Sequence, residues 1–346
     1  LLRLPSSPVA PCRRAVPVYL SHGLFESSDI WMVSGPRKGL AYILADSGYD
    51  VWMGNARGNT HSRKHKNLSP NSRKFWEFSF HEIAIYDNSA DIDYILSMTK
   101  QKQLHYIGHS QGAATFFILA SLLPEYNKKF ITAHAIAPVV FSKHQKSHFF
   151  TVAAKHEKIL EMLATDYGLS ELFPNSWLFQ QIGNFFCTPS EASLCYAISR
   201  IVAGQSSKQE TPEIFPHFLQ VFPAGSSIYQ LLHIVQGVNK GDFRFFDFGM
   251  ERNLEHYGSK EPPEYPLQNI TASPIFIYIS QGDTAVNATD IKRLVLSLPK
   301  KPIVVQMDLI DEEFGHIDYI YGKHAKKMVY DNMLKEMKAA DGNSCH

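Results

Sequence analysis

Apolar positions along the chain fall into short runs that alternate with segments of helical length. The short runs predict strands at 16–23, 49–55, 103–108, 131–139, 274–283 and 302–309, and the first five residues resemble the end of another strand. Helices are predicted at 36–48, 81–98, 290–298 and 324–338, with a further one directly after Ser110. Because strands that alternate with helices are typical of a parallel sheet with crossover connections, the sequence predicts an α/β fold.

The alternation breaks between about Phe141 and Gln268, where the pattern is helical, aromatic and interrupted by proline and glycine. Of the 23 phenylalanines, 14 lie in residues 141–250. We therefore predict one α/β core built from residues 1–140 and 269–346, with residues 141–268 inserted as a helical cap. The rings suit the core of the cap itself or an apolar cover over a site, and both roles are compatible.

The sequence Gly108-His109-Ser110-Gln111-Gly112 matches G-x-S-x-G and lies between a predicted strand and a predicted helix. In a nucleophile elbow the serine adopts a strained turn, and side chains at the two flanking positions would clash with the strand and the helix. Glycine at both positions removes these clashes, so the motif predicts a Ser110 hydroxyl exposed at the carboxyl edge of the sheet. The alternative is a serine that only caps the helix, with glycines that serve packing.

A serine hydroxyl becomes a useful nucleophile only beside a base, and the base needs an acid to orient it. In the fold class that carries such an elbow, these residues follow in the order serine, acid, histidine. Asp283 leaves a buried-looking strand into a turn, which favours it over Asp308, inside the next strand, and over Asp290, a predicted helix cap. His316 follows the last strand and precedes the last helix, so it is the predicted base.

Acyl transfer also needs N–H donors for the negative charge that develops on the carbonyl oxygen. One donor is predicted at the backbone of Gln111, and the second at Leu24 in the loop "SHGLFESS". His22 either holds this loop or is a structural histidine. His109 is predicted to point away from the serine hydroxyl, and Asp318 is predicted to form hydrogen bonds within its own loop.

Charge and motif content exclude several classes of function. The formal net charge is +1, which implies neither nucleic acid nor an acidic partner. The longest apolar run, around 113–123, is too short to span a bilayer, so no transmembrane segment is expected. Motifs for phosphate, dinucleotide and metal binding are absent from the sequence, so we expect no cofactor and no metal. We also expect a monomer. The basic stretch 57–66 suits a solvated loop better than an anion site.

Four cysteines and three glycosylation sequons bear on the compartment. Turn-forming residues separate Cys187 from Cys195, and a local disulfide or two buried thiols are both open. Cys12 and Cys345 have no predictable partners. The chain begins at Leu1 without a signal peptide, which predicts a fragment or a processed form. The sequons would suit a secreted chain and begin at Asn67, Asn269 and Asn287.

Five segments together resemble the animal acid lipase family, which includes gastric lipase and lysosomal acid lipase. They are "HGLFESSDIW", "LADSGYDVWMGNARGNTHSRKH", "FWEFSFHEIAIYDNSADIDYIL", "QLHYIGHSQGA" and "FGHIDYIYG". The resemblance runs from about Val18 to Lys338. It implies an α/β-hydrolase core with a helical cap and lid. It also implies a serine carboxylester hydrolase that acts on neutral lipid esters, such as triacylglycerols or cholesteryl esters, at a lipid–water interface.

The same resemblance implies roles for individual residues. It puts the catalytic triad on Ser110, Asp283 and His316 and the oxyanion donors on Leu24 and Gln111, in agreement with the choices made from the residues. It implies a Cys187–Cys195 disulfide in the cap, glycosylation at Asn269 and a secreted or lysosomal location. The family's N-terminal segment before "LLRLP" is absent here, and residues 5–15 depart from the family pattern.

Two other functions fit part of the pattern. A catalytically silent lipid carrier could use the same fold, but a carrier has no reason to retain all three triad residues. A soluble short-chain esterase would need less apolar cover than the long aromatic insertion offers. Labelling by a fluorophosphonate separates the enzyme from the carrier, and a comparison of emulsified long-chain with soluble short-chain esters separates lipase from esterase.

Overall fold

A central parallel sheet organises the computed structural model, which describes residues 1–8, 10, 16–174, 207–209, 211, 213–272, 274–300, 305–310 and 314–342. The strands are β1 (Leu2–Leu4), β2 (Pro17–Ser21), β3 (Asp50–Met53), β4 (Leu104–His109), β5 (Phe130–Ile136), β6 (Glu171–Leu172), β7 (Ser226–Ser227), β8 (Ile275–Ser280) and β9 (Val305–Ile310). Seven of them form one sheet in the order β1-β3-β2-β4-β5-β8-β9. All neighbours in this sheet are parallel except the β1–β3 pair, which is antiparallel. The predicted α/β class is therefore confirmed.

Burial explains why the central strands are continuous apolar runs. Every residue of β2, β3, β4 and β8 is buried, as expected for parallel strands covered on both faces. The strand registers align the carboxyl ends, with Ser21 of β2 opposite Gly108 of β4 and Ile136 of β5 opposite Tyr278 of β8. The loops that leave these four strands therefore begin side by side at one edge of the sheet.

The helices occur close to where the apolar periodicity predicts them. They span Leu40–Asp46, Phe80–Glu82, Ser89–Thr99, Gln111–Leu122, His148–Lys155, Glu157–Thr165, Phe215–Val221, Ile228–Lys240, Met250–Tyr257, Ala288–Ser297, Asp318–Tyr321 and Asp331–Ala340. Two further segments are π-helical, Ile83–Asn88 and Lys326–Tyr330. The first helix begins later than predicted because Gly35–Gly39 forms a turn, in which the Gly39 N–H donates to the Gly35 carbonyl at 2.8 Å. None of the described helices is long and apolar enough to cross a bilayer.

The interrupted region between β5 and β8 is mainly helical where it is described. Ala154 and Ala164, from the first two helices of this region, pack with Val235 and Leu232 of the helix Ile228–Lys240. β6 and β7 pair antiparallel within the same region. Residues 175–206 of the predicted cap, including Cys187 and Cys195, lie outside the described residues, as do Cys12 and Cys345. The division of the chain into 1–140 with 269–346 and 141–268 stays a prediction.

Candidate active site

Ser110 occupies the turn between β4 and the helix Gln111–Leu122. Its φ and ψ are 54° and −116°, a conformation that non-glycine residues rarely adopt. A Cβ on Gly108 would lie 2.5 Å from the Gly112 carbonyl oxygen, and a Cβ on Gly112 would lie 2.1 Å from the Ser21 carbonyl oxygen. Strand and helix can therefore pack this closely only with glycine at both positions, which is the geometry of a nucleophile elbow.

The structure brings Ser110, His316 and Asp283 into one hydrogen-bonded chain. The Nε2 atom of His316 lies 2.8 Å from the Ser110 Oγ, and its Nδ1 lies 2.9 Å and 3.2 Å from the two carboxylate oxygens of Asp283. A carboxylate only accepts, so Nδ1 carries a hydrogen and Nε2 of the neutral ring is free to accept the serine proton. This arrangement is the one that serine activation requires.

Local hydrogen bonds fix the acid and the base. The Oδ1 of Asp283 accepts from the N–H groups of Ala285 and Val286 at 2.8 Å and 3.1 Å, which orients the carboxylate after β8. The Oδ2 of Asp318 accepts from the Gly315 N–H at 2.7 Å and closes the turn that holds His316. Asp318 thus forms the loop hydrogen bond that the sequence predicts.

The alternative acids lie elsewhere. Asp290 pairs with His144, whose Nδ1 lies 2.8 Å from the Asp290 Oδ1. Asp308 lies within β9, opposite Tyr278 of β8. Asp283 combines the predicted position after β8 with contact to His316.

The electrostatic surroundings of His316 favour the protonated form of its ring. Burial lowers the pKa of His316, but the charge of Asp283 and the hydrogen bond to it raise the pKa, with smaller contributions from Glu26 and Asp318. The net result is a pKa above the ordinary value of an imidazole. The imidazolium form of His316 is therefore stabilised.

The loop after β2 lies directly beside Ser110. A Cβ on Gly23 would lie 3.2 Å from the Ser110 Cβ, and Leu24 lines the same cavity as the Ser110 side chain. His22 holds this loop: its Nδ1 donates to the Gly23 carbonyl at 2.8 Å, because its Nε2 accepts from the Ala56 N–H at 3.1 Å. Burial lowers the pKa of His22, which keeps the ring neutral for this pair of contacts.

The two predicted oxyanion donors are the backbone N–H groups of Leu24, in the loop after β2, and of Gln111, at the start of the helix Gln111–Leu122. Among the described residues, no atom accepts a hydrogen bond from the backbone N–H of Leu24 or of Gln111. The side chain of Gln111 is used differently, because its Nε2 donates to the Oε1 of Gln230 at 2.7 Å. This contact links the helix after the elbow to the helix Ile228–Lys240.

Sequence reasoning missed Glu26, a buried polar residue beside the site that contacts His109. Glu26 is only 3% exposed, and its carboxylate accepts from the Gly23 N–H at 2.5 Å and lies 3.3 Å from the Nδ1 of His109. The Nε2 of His109 lies 3.0 Å from the carbonyl oxygen of His316. The only sequence feature that could have indicated Glu26 is its position, three residues after Gly23 in the loop.

A small apolar cavity of about 50 Å³ adjoins the Ser110 hydroxyl. Its lining is mainly aromatic and aliphatic, and it includes Leu24, Phe25, Phe149, Phe150, Phe222 and Ile317. Phe149 and Phe150 belong to the helix His148–Lys155. Rings from the predicted cap thus cover the site. The ring of Phe149 meets that of Phe25, from the loop after β2, edge to face, with centroids 6.3 Å apart.

The remaining predicted residues lie away from this cavity. Asn67 and Asn269 are exposed, and Asn269 donates through Nδ2 to the Ser121 carbonyl at 3.2 Å. Asn287 caps the helix Ala288–Ser297 by accepting from the Thr289 N–H at 2.9 Å. In the basic stretch 57–66, the arginines pair with acidic residues, Arg57 with Asp87 and Arg63 with Glu171.

Fold and site together define an α/β hydrolase. A family profile described as alpha/beta hydrolase fold matches residues 16–157. Among solved structures, a soluble variant of monoglyceride lipase from Saccharomyces cerevisiae has a TM-score of 0.59 at 14% identity and covers 100% of this chain and 91% of its own. A monoacylglycerol lipase from Paleococcus ferrophilus has a TM-score of 0.57 at 13% identity and covers 98% of both chains. At these identities the two structures show the fold alone.

Relatives with similar sequences narrow the class from α/β hydrolases to lipases. Lipase 3 of Drosophila melanogaster is 38% identical over 344 residues, which cover 97% of this chain and 86% of the relative. Gastric triacylglycerol lipase of Homo sapiens is 36% identical over 319 residues, 92% of this chain and 78% of the relative. The chain therefore belongs to the gastric-type acid lipase family, and it is a carboxylic ester hydrolase.

Proposed function

We propose that the protein hydrolyses neutral lipid esters such as triacylglycerols or cholesteryl esters, with Ser110 as nucleophile, His316 as general base and Asp283 as the acid that orients it. One observation carries this proposal. The Ser110 Oγ lies 2.8 Å from the His316 Nε2, within the distance that proton transfer to a base requires. Membership of a lipase family supports an ester as the substrate.

Each step of the reaction has a residue suited to it. The Ser110 Oγ attacks the ester carbonyl while its proton passes to the His316 Nε2, and the N–H groups of Leu24 and Gln111 bind the oxygen that becomes negative. The tetrahedral intermediate breaks its bond to the alcohol, which leaves with the proton from His316. Water then gives a proton to His316 as it attacks the acyl-enzyme. The bond between the acyl carbon and the Ser110 Oγ breaks, the proton returns from His316 to the Oγ, and the fatty acid is released.

The apolar surroundings of Ser110 support a lipid substrate. The cavity of about 50 Å³ is far smaller than the several hundred Å³ of a typical ligand pocket. An acyl chain can therefore enter only if rings of the lining, such as Phe149 and Phe150, move outward. Val152, Ile159 and Met162, on the helices beside these rings, are 40%, 49% and 41% exposed and offer apolar surface to a lipid–water interface.

The resemblance to the family extends the proposal to the protein's environment. We propose a secreted or lysosomal monomer with a Cys187–Cys195 disulfide and a glycan on Asn269, with Asn67 and Asn287 as further acceptor sites. Peptide mapping of material from a secretory host, before and after reduction and deglycosylation, tests the disulfide and the three sites. The exposed side chain of Asn269 is compatible with a glycan.

Covalent labelling tests the nucleophile. A fluorophosphonate should modify Ser110 in the folded protein, and Ser110→Ala should abolish both labelling and hydrolysis. Ser147→Ala is the matched control, because Ser147 lines the same cavity but caps the helix His148–Lys155. Labelling of Ser110→Ala at the wild-type rate would refute Ser110 as the nucleophile. A folded wild type that is not labelled at all would also refute it and would favour a silent lipid carrier.

The substrate class needs a second comparison. Emulsified trioleoylglycerol and cholesteryl oleate should be hydrolysed faster above the concentration at which each forms an interface than below it. A protein that cleaves only soluble short-chain esters, with no increase when an interface forms, would be an esterase instead.

A further inference from the structure

Two buried polar side chains beside the site take no part in the proposed reaction. Glu26 and His109 are 3% and 1% exposed, and the His109 Nδ1 lies 3.3 Å from the Glu26 Oε1 and 3.4 Å from the Oε2. Polar side chains buried to this degree are costly unless each hydrogen-bonding group is satisfied. The hydrogen-bond partners of Glu26 and His109 therefore indicate the role of the pair.

The hydrogen-bond partners of Glu26 and His109 indicate which atoms of the pair carry hydrogens. The His316 carbonyl can only accept, so the His109 Nε2 at 3.0 Å must carry a hydrogen. The hydrogen bond between the His109 Nδ1 and Glu26 then needs one proton, which either group can hold. Burial raises the pKa of Glu26, but the charge of His109, its hydrogen bond and the Gly23 N–H lower the pKa to a net value below the ordinary one. Glu26 is therefore a carboxylate, which can only accept from the His109 Nδ1.

The far ends of the pair contact the two loops that carry the reacting groups. The Glu26 carboxylate accepts from the Gly23 N–H at 2.5 Å, one residue before the predicted oxyanion donor Leu24. The His109 Nε2 donates to the carbonyl of His316, the predicted base. The result is a continuous hydrogen-bonded chain from the oxyanion loop to the base, passing beside Ser110 and independent of Asp283.

We propose that Glu26 and His109 are positioning residues whose hydrogen-bonded bridge sets the distance between the oxyanion loop and His316. This proposal rests on the proposed function, because it assigns work to groups that the reaction uses. The bridge acts through its length and its hydrogen bonds. A pair that served stability alone would change the fraction of folded protein and leave the turnover of each folded site unaltered.

Two substitutions at Glu26 distinguish the effect of side-chain length from the effect of charge. Glu26→Gln keeps the length: its carbonyl can accept from Gly23, and its amide can donate to the Nδ1 of a neutral His109 that still donates to His316. Glu26→Asp keeps the charge but shortens the arm by one methylene. We expect kcat within about threefold of wild type for Glu26→Gln and a loss of about 10- to 100-fold for Glu26→Asp, since a displacement near 1 Å is that costly.

The assay measures kcat and KM with p-nitrophenyl butyrate, a soluble ester, per site titrated by a fluorophosphonate. Titration removes any contribution from unfolded protein. KM should change little, because the oxyanion donors act mainly in the transition state. His109→Phe should lose kcat as Glu26→Asp does, and the double variant should lose no more than the worse single variant, because both interrupt one chain.

The outcomes separate this proposal from the proposed function. Equal kcat per site in wild type and Glu26→Asp, or equal losses in Glu26→Asp and Glu26→Gln, would overturn the bridge while leaving Ser110 as nucleophile. Persistent hydrolysis by Ser110→Ala would overturn the proposed function whatever the Glu26 variants do. If His109→Phe fails to fold, the two Glu26 variants still decide the question.

Discussion

Gly112→Ala perturbs the closest backbone contact in the site. The added Cβ would lie 2.1 Å from the Ser21 carbonyl oxygen and 2.6 Å from the His22 carbonyl oxygen, whereas ordinary contacts begin near 3.4 Å. Both obstacles are backbone atoms, so no side chain can rotate away. The helix Gln111–Leu122 or the end of β2 must move by about 1 Å, and this end of β2 leads into the loop with Leu24.

The expected magnitudes follow from this displacement. Overpacking against a rigid neighbour costs about 3 kcal/mol, the upper part of the usual range. In a chain of this size that loss should lower the apparent melting temperature by roughly 5 °C. Because the moving segment carries the predicted oxyanion donor, kcat/KM per titrated site should fall by about 100-fold.

Gly237→Ala is the matched control. Gly237 lies inside the helix Ile228–Lys240, where an added Cβ would meet only the Asp242 carbonyl oxygen at 3.6 Å. The same change of one methyl group should therefore leave activity unaltered and stabilise the helix by about 0.5–1 kcal/mol. Thermal melting and hydrolysis of p-nitrophenyl butyrate measure both variants. A Gly112→Ala protein that melts and turns over like Gly237→Ala would refute the account of the elbow.

Three further predictions concern charged residues. Asp283→Asn should lower kcat about 10⁴-fold in a protein that melts normally, because the amide no longer selects the correct tautomer; a loss below tenfold would exclude Asp283 as the orienting acid. In wild type, burial lowers the pKa of His316, but Asp283 together with Glu26 and Asp318 raises it above the ordinary value, and only the neutral ring can act as base. The acidic limb of kcat/KM should therefore lie above the ordinary imidazole pKa, and a limb at or below it would contradict this. Asp341→Ala removes buried hydrogen bonds to His105 and Tyr49 at 2.9 Å and 2.7 Å, so the free energy of unfolding from urea titration should fall by about 1–3 kcal/mol with kcat per site unchanged; an unchanged urea midpoint would refute it.

Local patterns were sufficient to predict the parts of the fold that local physics determines. The strands could be predicted because buried parallel strands are continuous apolar runs, and the elbow because only glycine fits beside Ser110. Helix geometry was less predictable. The periodicity over 81–98 predicted one regular helix, but Ile83–Asn88 is π-helical. The Asn88 side chain there bonds to Tyr19 and Thr115 at 3.0 Å and 2.9 Å, and no local pattern encodes these tertiary contacts.

The candidate site also has a part that the sequence predicts and a part that it does not. Ser110 and His316 are 206 positions apart, and Asp283 and His316 are 33 apart, yet their meeting could be predicted because the loops after parallel strands share one sheet edge. Glu26 and His109 are 83 positions apart, and their pairing depends on the depth at which each side chain lies below that edge. Strand order determines which loops meet, whereas the packing of those loops determines which polar side chains between them become buried. The bridge that we propose between Glu26 and His109 therefore belongs to the part of the site that sequence motifs do not predict.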